Sequence, residues 1–259
     1  MNIDLVTKLN ASDFLQMKNS RAIAMLTAYT CPVARCLEKA GIPVILVGDT
    51  VGMVEMGFES TRDVTIEHME YHIGAVHRGA PNTHIIGDLP YKTDAEPGIA
   101  LKNAKRLIVA GADSVKLEGP KLEIITHLAK NQIFVVGHTG LTPQTAENFK
   151  KVGTSPAEAQ RIKEEAVAIQ DAGAFMLVLE HIPYDLAREI TGILTIPTIG
   201  IGAGPDCDGQ VLVINDAIGL GDYWPPFSKQ YAHITKTIDE VVNSYKNEVM
   251  SREFPGNII

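Results

Sequence analysis

Apolar residues in this chain gather in short, nearly continuous runs instead of strict alternation. Six of these runs end in a side chain able to hold a metal or move a proton: 44–49 in Asp49, 84–88 in Asp88, 114–118 in Glu118, 133–138 in His138, 175–180 in Glu180 and 211–216 in Asp216. Each reads as a strand buried on both faces, the condition of a parallel sheet lying under helices. Two further runs, 22–29 and 198–202, bring the strands to eight. Helical patterns fill the intervals at 32–40, 66–78, 97–110, 121–130, 156–172 and 184–194, and a last one runs from about 228 to 249. Ser155, Pro156 and Glu158 form a capping box with proline at the first helical position. Ala40-Gly41, Gly79-Ala80, Ala110-Gly111 and Ala172-Gly173 put glycine where a helix end calls for a left-handed residue.

Eight strand–helix units predict an α/β fold, a closed (β/α)8 TIM barrel. The competing open doubly wound sheet calls for GxGxxG after the first strand, where Ala28-Tyr29-Thr30-Cys31-Pro32 stands instead. Residues 1–259 are expected to form one barrel domain with a C-terminal helical extension from about 228. Two long connections, 52–65 and 139–155, leave the C-terminal rim, where loops of that length act as lids or substrate walls.

Composition narrows the partner. A chain of 259 residues with 45% apolar content can bury one large core. Its net charge of −8, without basic clusters, argues against nucleic acid or an anionic membrane and leaves a small molecule as the expected ligand. Cys31, Cys36 and Cys207 are odd in number and lack CxxC spacing, which suits free thiols in a reducing compartment. The first residues lack a signal-peptide core and no run approaches the ~20 apolar residues of a membrane helix, so the expected location is the cytoplasm.

The candidate chemistry follows from the barrel, because strand-end side chains share the cleft at its C-terminal rim. Asp49 and Asp88 face one another there in this reading. A divalent cation between them relieves their repulsion, and all-oxygen ligation with retained water suits magnesium. Glu118 could join directly or through a water. An isolated strand-end aspartate can equally cap the helix that follows it. Lys116 precedes Glu118 by two residues and therefore shares its face. It could hold a substrate carboxylate or an enolate oxygen, or pair with a neighbouring acid. His138 is a donor to a carbonyl oxygen or a satisfied core polar group. Glu180 closes five apolar residues, so desolvation should raise its pKa toward the range of a general base. The 200–204 glycine loop reads as a close backbone approach to a ligand or as a tight turn.

Taken together, Gly48-Asp49-Thr50, Asp88-Leu89-Pro90, Lys116-Leu117-Glu118, Gly137-His138-Thr139-Gly140-Leu141-Thr142-Pro143-Gln144, Leu179-Glu180 and Gly200-Ile201-Gly202-Ala203-Gly204 resemble the ketopantoate hydroxymethyltransferases, over about 21–227. The resemblance implies a barrel of the phosphoenolpyruvate/pyruvate-binding type. It also implies Mg2+-dependent transfer of a one-carbon unit from 5,10-methylenetetrahydrofolate to 3-methyl-2-oxobutanoate, for pantothenate synthesis. By the same resemblance Asp49, Asp88 and Glu118 match metal positions, and Asp49, Thr50, Asp88, Lys116 and His138 match substrate-binding positions. Glu180 matches the general base, and the assembly is a homo-oligomer, a decamer in that family. Thr50 stands where the family usually has Ser, which keeps the hydroxyl and narrows the pocket by a methyl group. The alternatives are a related Mg2+-dependent 2-oxo acid carbon–carbon lyase or mutase, a hydroxymethyltransferase with another 2-oxo acid acceptor, or a barrel without catalytic function.

Overall fold

The computed structural model describes residues 8–256. Eight parallel strands close into a barrel in chain order. They are β1 (Ile23–Thr27), β2 (Val44–Val47), β3 (His84–Asp88), β4 (Ser114–Lys116), β5 (Val135–Gly140), β6 (Met176–Glu180), β7 (Thr198–Ile201) and β8 (Gly209–Leu212). The seam joins β8 to β1 with Ile23 opposite Gly209 and Met25 opposite Val211. Every residue of β2, β3 and β4 is buried, as strands sandwiched between a barrel interior and a helical coat must be.

Helices α1 (Ala11–Met17), α2 (Cys31–Lys39), α3 (Val51–Val54), α4 (Ile66–Gly79), α5 (Pro97–Ala110), α6 (Leu122–Lys130), α7 (Pro156–Asp171) and α8 (Tyr184–Ile193) accompany the strands. The predicted capping box of α7 is present, with the Glu158 amide donating to Ser155 Oγ. Gly111 ends α5 at φ 119°, a left-handed conformation that glycine adopts without strain. Gly79 differs from that expectation: it is the last helical residue of α4, and Ala80 after it has φ −139°. Its role is close approach, since a Cβ there would lie 2.3 Å from the Cys31 carbonyl oxygen at the start of α2.

Helix α1 was not apparent in the apolar pattern. It is seven residues long and capped by Asn10, whose side chain accepts from the Ser12 and Asp13 amides. Phe14 is fully buried and stands edge-on to His84, 5.1 Å between ring centres, with Phe175 at 6.4 Å. Both of those residues lie at strand starts, so α1 plugs the N-terminal mouth and joins the core of Ile23, Met25, Val44, Ile86, Val136, Met176 and Ile199. Lys18, just past α1, pairs with Asp208 at 2.7 Å and donates to the Thr191 carbonyl. The run at 211–216 corrects an expectation. β8 stops at Leu212, and Asp216 sits in the first turn of a short helix.

Residues from 213 onward form a second compact unit. Within it, α9 (Ile214–Ile218) precedes α10 (Ile234–Ser251). The last helix begins at Ile234 rather than near 228 because Thr235 holds the preceding turn, accepting from the Gly221 amide and donating to the Gly219 carbonyl. None of the 18 residues of α10 is buried. Among the described residues no helix is long and apolar enough to cross a membrane.

Two glycines of α4 separate propensity from packing. A Cβ at Gly74 would meet nothing nearer than the mobile end of Arg78, at 3.4 Å. Gly74→Ala should therefore stabilise by about 0.5–1 kcal/mol through helix propensity. Gly79→Ala should cost about 1–3 kcal/mol despite the same propensity gain, because backbone would have to move. Urea unfolding midpoints of the two variants check this; shifts of equal sign would dismiss the packing account.

Candidate active site

Strand register brings the polar ends together. Asp88, the last residue of β3, lies directly across from Lys116 of β4. His138 of β5 is opposite Val178, two residues before Glu180 on β6. Asp49 follows β2 by two residues, and its main-chain N–H donates to Asp88 Oδ2 at 3.1 Å. Lys116 Nζ is 3.1 Å from Asp88 Oδ1. His138 bridges toward two acids, with Nε2 3.2 Å from Glu180 Oε2 and Nδ1 3.7 Å from Glu118 Oε1. All of these groups are buried except Glu180, whose side chain is 15% exposed at the opening.

Gln144, in the loop that follows β5, ties the cluster together. Its Nε2 donates to Asp49 Oδ2 at 2.8 Å and to the Leu89 carbonyl at 3.0 Å. Its main-chain N–H donates to Glu118 Oε2 at 3.0 Å. The sequence reading included this residue in a motif without assigning it a partner. A loop side chain of this kind has no periodicity to reveal its direction.

Burial sets the electrostatics. Desolvation and the neighbouring Asp88 push Asp49 up to about 7, against the pull of Lys116 and the Gln144 hydrogen bond. Desolvation likewise pushes Glu118 to about 7, opposed by His138 and Lys116. Glu180 rises to about 7 for the same first reason, opposed by Lys116 and His181. Burial and the Lys116 charge lower His138 to about 4, so its imidazole is neutral at physiological pH. Lys116 behaves in the opposite sense: burial disfavours its charge, but Asp88, Glu118 and Asp49 outweigh that and hold it above the ordinary lysine value. A protonated amine among three acids and a neutral imidazole is what the low-dielectric cleft selects.

Five of the six run-ending residues, Asp49, Asp88, Glu118, His138 and Glu180, therefore share this mouth with Lys116. Thr50 is half-buried at the start of α3, adjacent to Asp49. Asp216 lies in the second unit, outside the strand set. The 200–204 loop does make a close approach, but to a ring of this chain. A Cβ on Gly204 would fall 2.6 Å from the Tyr184 side chain.

The donor set bears on which ion could sit here. Among the described residues no three His, Cys, Asp or Glu side chains converge as a ready chelate. Asp49 and Asp88 instead offer two hard oxygen ligands in a common cleft, and Asp88 Oδ1 and both His138 nitrogens lack a well-aligned hydrogen bond. Such a pair suits a cation that retains water and substrate oxygens, which is the habit of magnesium.

The profile of the family described as ketopantoate hydroxymethyltransferase matches residues 8–257. A 3-methyl-2-oxobutanoate hydroxymethyltransferase of Caldivirga maquilingensis is 46% identical over 255 residues, 96% of each chain. One from Thermus thermophilus is 47% identical, covering 94% of this chain and 96% of its own. Solved structures share the fold: a 2,3-dimethylmalate lyase of the PEP mutase/isocitrate lyase superfamily superposes with a TM-score of 0.63 at 13% identity, over 96% of this chain and 90% of that one. A phosphonopyruvate hydrolase superposes with the same TM-score of 0.63 at 12% identity, over 97% and 90%. With residues 8–257 matched by that family's profile and relatives 46–47% identical over nearly the whole chain, the chain belongs to the ketopantoate hydroxymethyltransferase family.

Proposed function

We propose that this protein transfers a hydroxymethyl group from 5,10-methylenetetrahydrofolate to 3-methyl-2-oxobutanoate, giving 2-dehydropantoate for pantothenate biosynthesis, with Mg2+ as the metal. The names of relatives 46–47% identical over nearly the whole chain support the acceptor. The observation that carries the chemistry is the buried Asp49–Asp88 pair, with Lys116 against Asp88 and Glu180 at the opening of the same cleft. Three free thiols support the reducing, cytoplasmic setting expected from the sequence, and family resemblance supports a homo-oligomer.

In this reading Asp49 and Asp88 hold the cation, with Glu118 as the third acid of the set. When bound, the metal would draw electron density from the 2-oxo group and so acidify C3 of the acceptor. Thr50 offers its hydroxyl to the substrate carboxylate. Lys116 keeps the mouth from accumulating uncompensated negative charge when a 2-oxo acid enters. His138, neutral and enclosed, can donate one N–H to a substrate oxygen without releasing a proton of its own. Glu180 takes the C3 proton; its desolvated carboxylate is a stronger base than one in water. The C3 carbanion bonds to the one-carbon unit, both C–N bonds of the methylene bridge break and water supplies the hydroxyl group; the proton taken from C3 and the second proton of that water complete the two N–H groups of the departing tetrahydrofolate.

Deuterium exchange at C3 of 3-methyl-2-oxobutanoate isolates proton transfer, because it needs no folate. Glu180→Gln should retain oxo-acid binding with Mg2+ and lose exchange by about 10²–10⁴-fold. Exchange at the native rate in that variant would remove Glu180 from the role of base. A pH profile gives a second check. Glu180 must be ionised to act and its pKa lies near 7, so the native exchange rate should climb about tenfold per pH unit below that value and level off above it. Asp88→Asn should weaken Mg2+-dependent binding of the oxo acid by at least about tenfold, ~1.4 kcal/mol, in calorimetry. Equal affinity with and without Mg2+ in both proteins would exclude chelation.

A further inference from the structure

Gln144 and Arg62 lie outside the acid, base and cation set, yet they control how that set is held. Gln144 is 1% exposed and touches three strand ends at once, through Asp49 after β2, Leu89 after β3 and Glu118 after β4. Both protons of its amide nitrogen are committed, one to a carboxylate and one to a carbonyl. A neutral donor in that position fixes one oxygen of Asp49 without cancelling its charge. Arg62, in the turn Thr61–Asp63 of the loop after β2, reaches over the loop after β5. Its Nε donates to the Gln144 carbonyl at 2.8 Å and its Nη2 to the Ala146 carbonyl at 3.1 Å. Its guanidinium also lies 5.7 Å from the centre of the Tyr91 ring, in the loop after β3. Three rim loops are thus fastened through one planar group, whose fork matches two carbonyls in a way a lysine cannot.

We propose that Gln144 is a positioning residue for the Asp49 and Glu118 carboxylates, and that Arg62 acts through it by holding the loop after β5 in place. The proposal rests on the reading of this mouth as a Mg2+-dependent oxo-acid site. Its physical basis is orientation. A carboxylate with one oxygen pinned presents the other along a single direction, whereas a released carboxylate rotates, and the ordering cost then falls on ligand binding. The hydrogen-bonded route from Arg62 to Asp49 passes through Gln144, so the two residues should be less than additive.

Calorimetric titration of Mg2+ into the full-length protein in the presence of 3-methyl-2-oxobutanoate tests this, with thermal unfolding recorded for every variant. Gln144→Met keeps the side-chain volume and the main-chain N–H to Glu118 while deleting the donor. It should weaken Mg2+ by about 10–100-fold. Arg62→Ala should weaken it by a smaller factor and Arg62→Lys by less again. The double variant should bind worse than Gln144→Met alone by less than the factor Arg62→Ala imposes on the wild type, because only the main-chain N–H to Glu118 is left for Arg62 to hold. Unaltered Mg2+ affinity in Gln144→Met, with or without a lowered unfolding temperature, overturns the proposal by showing a structural role only. Full additivity in the double variant overturns the relay from Arg62. Should Gln144→Met fail to fold, the exposed Arg62 pair decides: equal affinity in Arg62→Ala and wild type overturns the proposal. A wild type that takes up no Mg2+ at all sinks the reading of the site, and the proposal with it.

Discussion

Asp88 is held from two sides, by the Asp49 amide and by the Lys116 ammonium, and the arrangement of the mouth depends on that contact. Neither ion is tolerable alone in such a place. Removing one partner of a buried pair leaves an uncompensated charge, at a cost of about 3–5 kcal/mol. Together they place a cation within reach of three acids, and that cation keeps Asp49, Glu118 and Glu180 from rising further in pKa. The contact itself follows from register. Asp88 and Lys116 are directly opposite on adjacent parallel strands, so one residue of slip would send both to different faces.

The two ends of the barrel are built for different purposes. At the N-terminal end, α1 drives Phe14 between His84 and Phe175, and Lys18 with Asp208 closes the edge. There His84 contacts the Leu9 carbonyl through one ring nitrogen and Ser114 through the other. At the C-terminal end the pattern reverses, and buried polar atoms of Asp88 and His138 are left without well-aligned partners. Paired polar groups at the closed end contribute stability, whereas the open end is the one where barrels of this kind place their active sites.

Individual residues show how far the chain could be read directly. The runs ending in Asp49, Asp88, Glu118, His138 and Glu180 were visible because a strand buried on both faces tolerates a polar residue only where it emerges. Asp216 broke that rule: the apolar residues before it continue past Leu212 into a helical turn, and a short apolar run does not distinguish strand from helix. Helix α1 was missed because seven residues span only two turns, too few to show a period; burial of Phe14 stabilises it, not propensity. Gly79 was expected to end a helix through its backbone freedom and instead admits the α2 backbone, a demand set by a residue far away in the chain.

The sequence by itself determined the strand–helix alternation, the barrel class and the identity of the acids, the lysine and the histidine at the strand ends. Those are consequences of local pattern, in which burial and backbone hydrogen bonding dictate where apolar runs start and stop. Only the tertiary structure decided that Lys116 is paired with Asp88, that His138 stands between Glu118 and Glu180, and that Gln144 and Arg62 fasten the rim. Such contacts join residues 20 to 95 positions apart. Their geometry comes from closure of the barrel and the course of its loops, which no local pattern encodes.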